Sequence, residues 1–196
     1  MKGFKLSVTS ILFFLLAGCV QAPLSAPDPF ADKPYGLRLG LIQAFDPKPL
    51  QVESFVPDGN PAFNGTRVTS SGRAFPFVYT VISAKVREGA DPLTDLYAQV
   101  KENPRVSFVD RSSNGDLGDH IHFTERFEQQ GKPHHIASNY MFIRGDRFFH
   151  VAAENYGPVT LGRLDWKDED IDVNAEREVL VLIRSLQYPK EEHGRQ

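Results

Sequence analysis

One thiol and six imidazoles are the side chains best suited to chemistry in this 196-residue sequence. Cys19 is the only cysteine, at the end of the stretch Leu16-Ala17-Gly18-Cys19. A lone thiol has no partner for an internal disulfide, so its sulfur is open to another covalent fate. Among the histidines, His120 and His122 share one face of an expected strand. His150 is expected two strands away in about the same row, roughly 10 Å from His122. Zinc sites use triads of this kind, which makes the three a candidate metal cluster. The competing reading is preferred: they are polar residues near a sheet end, with Met141 between His122 and His150. On that reading no metal and no other cofactor is expected. His134 and His135 follow a loop proline at the other end of the hairpin and read as a solvated turn.

The acidic run Asp165, Asp168, Glu169, Asp170 and Asp172 has the density of a calcium loop without its pattern. Such a loop wants Gly at the sixth position and Glu at the twelfth. Counted from Asp168, those places hold Val173 and Val179. The run reads better as negative charge ahead of a C-terminal helix, where the helix dipole favours it. No Gly-x-Ser-x-Gly turn occurs, and Gly36 and Gly40 lack phosphate-loop spacing. Glu125 and Glu128 lie on a strand and so face opposite sides. No catalytic residue and no enzymatic activity is expected; a metal-dependent activity of the histidine cluster is the alternative.

The surroundings of Cys19 have a recognisable layout. Lys2 and Lys5 precede an apolar run from Leu6 to Leu16, and small residues follow at Ala17 and Gly18. This is the organisation of a secretory signal. The run is about half of the ~20 apolar residues a membrane-spanning helix needs. Its ending resembles the lipobox of bacterial lipoprotein precursors. The resemblance implies removal of residues 1–18 and lipidation of Cys19, which becomes the N-terminus. One acyl chain anchors weakly and two or more anchor stably, so a triacylated Cys19 would hold permanently. Residues 19–34 then form a tether. Pro23, Pro27 and Pro29 favour extended geometry there, at about 3.1 Å per residue. Val20 follows the cysteine where an Asp would imply inner-membrane retention. The resemblance therefore implies the outer membrane, with the domain facing the periplasm.

A single domain is expected over residues 35–188, with a polar tail at 189–196. Cleavage would remove Lys2 and Lys5 and make the net charge of −3 more negative still, which argues against nucleic-acid binding. With no second thiol, the fold must rest on core packing, for which 15 Phe and 6 Tyr provide bulk. Leu37 to Ile42 reads as a first strand, and Asp46 to Gly72 resists assignment apart from a short strand at Val52–Val56. Phe75 to Arg87 is β-branched and apolar on both faces at its start, as in a strand covered on both sides. Asp91 and Pro92 open a helix, with Leu93, Leu96, Tyr97 and Val100 on one face, that stops at Asn103-Pro104. A strand at Val106–Asp110 follows. A three-stranded meander is expected from His120, Ile136 and Arg147, with a tight turn at Gly145-Asp146. A last helix runs from about Asn174 to Ser185, its stripe made by Ala175, Val179, Leu182, Ile183 and Leu186.

This order of elements resembles the DcrB-like group of the Mog1/PsbP fold over roughly residues 75–188. The resemblance rests on Asp91-Pro92-Leu93 after a strand, His120 to Phe127 opening the meander, the turn Arg144-Gly145-Asp146-Arg147-Phe148-Phe149, and the final Ile183-Arg184-Ser185-Leu186. It implies an α+β fold with a central antiparallel sheet sandwiched between helices. It also implies a non-enzymatic binding or adaptor module with a protein partner in the cell envelope. Replacing the acyl acceptor tests the anchor: a Cys19→Ala chain is expected to lose all palmitate labelling in cells, and retained labelling would refute the assignment.

Overall fold

The computed structural model describes residues 34–72, 76–113, 115–129, 132–155 and 168–188. The leader, Cys19, all but the last residue of the tether and the polar tail lie outside them. Its strands are β1 (Gly36–Leu37), β2 (Gln51–Phe55), β3 (Phe63–Ser70), β4 (Phe77–Lys85), β5 (Val106–Ser112), β6 (His120–Gln129), β7 (Lys132–Arg144), β8 (Arg147–Asn155) and β9 (Leu186–Gln187). Its helices are α1 (Leu39–Gln43), α2 (Pro92–Glu102) and α3 (Asp168–Ser185). Among the described residues seven strands form one sheet in the order β2-β3-β4-β8-β7-β6-β5. Every neighbouring pair in it is antiparallel. The fold class is therefore α+β. No helix of the described residues is long and apolar enough to cross a membrane.

Strand periodicity assigns the two faces. Along β7, Tyr140 and Phe142 point to one side and Met141 and Ile143 to the other. The first side packs on α3 through Val179, Leu182, Tyr79, Phe149 and Val151. The second packs on α2 through Leu93, Val100, Ile121 and Phe123. Helices thus lie on opposite faces of the sheet. The α2 stripe and its Asp91 cap form as the sequence predicts, the Asp91 carboxylate accepting the Thr94 amide at 3.3 Å. Arg111 then ties this end to β6, with two bonds to Asp119 at 3.2 and 2.7 Å and one to Thr94 at 2.9 Å.

Three expectations need correction. Leu37 to Ile42 is not a strand: only Gly36–Leu37 pairs, with β9, and the chain then turns into α1. The Arg38 amide donates to Ser185 O at 2.8 Å, and its guanidinium to Arg184 O at 2.9 Å, where a cation suits a helix C-terminus. The unassigned stretch holds β3, whose alternating pattern is hidden in Thr, Ser and Asn. Finally, β4 is not covered equally on both sides. Phe77, Tyr79, Val81 and Ser83 are buried, while Val78, Thr80, Ile82 and Ala84 are half-buried.

The segment before β2 closes the α3 side over β2–β4. Tyr35, 2% exposed, bonds Thr66 Oγ1 at 2.8 Å and donates to Val81 O at 3.3 Å. Burial pushes its phenol up to about 12, so it remains a neutral hydrogen-bonding group. Deeper in the same layer, the Tyr79 hydroxyl donates to Glu178 Oε2 at 2.6 Å. Glu178 is 2% exposed, so its carboxylate depends on buried donors. Tyr79→Phe should therefore lower folding stability by about 2 kcal/mol, the usual cost of losing a hydrogen bond to a charged group, measurable by urea denaturation. A loss below a few tenths would mean that the bond carries little weight.

Candidate functional site

The α3 side of β5 and β6 is where chemistry-bearing side chains gather in reach of solvent. Register puts them there. Asp110 pairs with His122, and Ser112 with His120, across β5–β6; His122 in turn pairs with Tyr140 on β7. A bulge at Ser107 shifts the β5 register between Val106 and Phe108. One extra residue re-aims the strand. It lets Val106 and Val109 both pack on the α2 cluster while Phe108 emerges on the α3 side.

The rings form a ladder. His122 and Tyr140 stack with centroids 4.3 Å apart and planes 10° from parallel. His120 also stacks on Tyr140, at 5.7 Å, and Phe108 meets His122 edge-on at 5.3 Å. Phe108 is 49% exposed at the sheet edge, whereas Tyr140 is only 7% exposed. His120 Nδ1 donates to the Gly118 carbonyl at 2.8 Å, and His122 Nε2 lies 3.3 Å from Ser138 Oγ.

Two carboxylates, Asp110 and Glu176, project their field onto this ladder. Burial lowers the His122 pKa; Glu176 and Asp110 offset part of that, and His120 adds to it. Burial and then the same two carboxylates push the Tyr140 phenol up to about 12. The result is a neutral imidazole and a protonated phenol beside uncompensated negative charge. Among the described residues the Tyr140 hydroxyl has no hydrogen-bond partner, and neither Asp110 nor Glu176 forms an ion pair. The residue as a whole is buried while its hydroxyl is half-buried, so the oxygen stands where a ligand can reach it.

The triad of His120, His122 and His150 is not assembled. His122 pairs with Tyr140, but His150 pairs with Met141, one position out of step. A single step along a strand reverses the face, so His150 lies on the α2 side. There its Nε2–H donates to Asn139 Oδ1 at 2.9 Å, and its ring stacks on Phe123 at 6.1 Å. No cluster of three His, Cys, Asp or Glu among the described residues is spaced to hold a metal. His135 is likewise not part of a solvated turn: β7 begins at Lys132, and the His135 ring stacks on Phe127 at 4.0 Å, with Glu154 3.8 Å away. The side chain of His134 and all of Asp165 lie outside the described residues; Asp168, Glu169, Asp170 and Asp172 fall within the first turns of α3, which starts at Asp168 rather than near Asn174.

Sequence reasoning found His120 and His122 but missed Tyr140, Phe108, Asp110 and Glu176. The first three were legible only with the β5–β6–β7 register in hand. Comparison with known proteins adds little. No family model matches the chain, and no curated protein matches it. One solved structure is similar: LpqN of Mycobacterium tuberculosis, described as involved in cell envelope biogenesis. It is 13% identical, with 74% of this chain and 87% of LpqN covered and a TM-score of 0.41. Similarity at this level does not establish a shared fold.

His150 makes a pH prediction. Burial takes its pKa from 6.5 down to about 4. The folded ring therefore stays neutral while the unfolded one protonates as pH falls below 6.5. The unfolded state binds more protons in that window, so stability falls with falling pH. Full expression of the shift would cost about 3 kcal/mol; this is an upper bound, because the ring edge keeps some solvent contact. Denaturation of His150→Gln between pH 6.5 and 4 should give a shallower slope than the parent. Equal slopes would mean that another group titrates.

Proposed function

We propose that this chain is a bacterial envelope lipoprotein, anchored through lipidated Cys19 and facing the periplasm from the outer membrane. Its domain serves as a non-enzymatic binding or adaptor module for a protein partner in the envelope. In architecture it is a DcrB-like member of the Mog1/PsbP fold. The lipobox-like ending at Cys19 supports the anchor. Helices on opposite faces of an antiparallel sheet, joined in the order seen here, support the fold reading.

One observation carries the binding role: Tyr140 is 7% exposed as a whole residue, and its half-buried hydroxyl has no hydrogen-bond partner among the described residues, beside a half-exposed Phe108. A half-buried phenol without a protein partner is only partly hydrated, at a cost below the ~1–3 kcal/mol of a fully buried one. A ligand that supplies the missing bond recovers that cost on binding. The exposed ring offers contact area of the kind that anchors interfaces.

The test places a photo-cross-linking amino acid at Phe108 in the full chain within intact cells. One discrete adduct with an envelope protein is expected. The same substitution at Val56, which is 51% exposed beside the opposite edge strand, should give none. Equal adducts at both positions, or none at Phe108, would count against this surface.

A further inference from the structure

We infer that the Tyr140 face receives a cationic group on an apolar stem: the guanidinium or ammonium of an Arg or Lys side chain presented by a partner protein. This rests on the reading of the face as a binding surface and adds the charge class of what it binds.

The argument is one of complementarity. Asp110 is exposed on β5, in the same row as His122 and Tyr140. Glu176 is exposed on α3 and acts on both rings from the other side. Neighbouring basic groups do not neutralise them. Arg177 pairs with Glu178 at 3.5 Å, and Arg111, on the opposite face, pairs with Asp119 at 2.7 Å. Arg126 lies further along β6, beyond Thr124. The site therefore presents two carboxylates, a phenol oxygen that stays protonated and can accept through its lone pairs, and an exposed aromatic ring. Each of these attracts a cation: carboxylates by charge, Phe108 by its π-face and the phenol oxygen by hydrogen bonding. An anionic ligand would be repelled by both carboxylates. An uncharged polyol would use the hydrogen bonds but leave the negative field unmatched. The methylene stem of Arg or Lys matches the edge of Phe108 while the charged head reaches inward.

The experiment uses the full lipidated chain in detergent micelles with n-butylguanidinium chloride as probe. The readout is the ring resonance of His122, assigned through His122→Gln. A saturable, millimolar shift is expected, and it should weaken as salt is raised. Asp110→Asn combined with Glu176→Gln should weaken binding about tenfold, the scale of losing two ion-pair contacts at a half-buried site. Both positions are exposed, so the variant keeps its core, which circular dichroism checks. Sodium butyrate and methyl glucoside are the comparison probes, and neither should saturate in the same range. Absence of a saturable guanidinium response, an equal response to butyrate or glucoside, or unchanged affinity in the double variant would overturn the inference. Cross-linking at Phe108 with no guanidinium response would overturn this inference alone. Loss of both would overturn the surface reading with it.

Discussion

Among the described residues the sheet is wider than any element that covers it, and the rest of the structure follows from that mismatch. Seven strands at about 4.8 Å spacing make a surface roughly 30 Å across, whereas one helix with its side chains is about 10 Å wide. The α3 helix accordingly covers β7 and β8, and α2 covers the β5–β6 end of the other face. The segment from Tyr35 to Leu50 completes the α3 side over β2–β4 through Tyr35, Leu37 and Ile42. Among the described residues, β5 and β6 on the α3 side have no such cover. That is where the stacked rings and the two carboxylates stand.

Local sequence converts this gap into a surface with particular properties. Without the bulge at Ser107, Val106 and Val109 could not both face α2, and Phe108 would not emerge beside His122. The same bulge disturbs the ladder of an edge strand, where unbroken pairing groups invite aggregation. Stacking then fixes the ring orientations. Tyr140 stacks on both His122 and His120, which orients its ring and with it the half-buried hydroxyl. Glu178 shows the contrast within the same layer, since its buried carboxylate is met by the Tyr79 hydroxyl.

Much of the fold was legible in the sequence because its signals are local. The Asp91-Pro92 cap, the apolar stripe of α2, the Gly145-Asp146 turn and the Val179-Leu182-Leu186 stripe depend on residues a few positions apart. The failures came from non-local context. Leu37 to Ile42 has strand-like composition, but only Leu37, with Gly36 before it, finds a partner, on β9. Strand β3 carries Thr66 and Ser70 on its buried face, where Tyr35 and Asp46 bond them, so its hydrophobic alternation is muted. The candidate site shows the limit most sharply. His122 and His150 were expected in one row, and pairing one residue out of step sent them to opposite faces. No local pattern reports that parity, because it is set by where the Arg144–Arg147 turn closes and by the single register shift between Phe127 and Glu128 on β6. Two imidazoles with similar strand neighbours thus have different fates: one packs on Phe123 on the α2 side, and the other lies at the open end of the sheet.

The same geometry relates the surface to the proposed anchor. The chain enters the domain at Tyr35, which is fixed over β3 and β4 by Thr66 and Val81. The ring ladder lies across β5–β7, at the far end of the strand order. From β4 to β6 is three strand spacings, about 14 Å, and the β5 edge is one further. The point of entry and the binding surface therefore stand about three strand spacings apart on one face. A Pro-rich tether at about 3.1 Å per residue would let the domain stand tens of ångström from the lipid. With the attachment at one end, the edge bearing Phe108, Asp110 and His122 is free to turn outward. A domain held at its other end would have the exposed edge strand crowded by its own anchor. An anchor leading to Tyr35 would leave steric access to the ladder and would keep the acidic pair at its rim clear of an anionic lipid surface that would repel it.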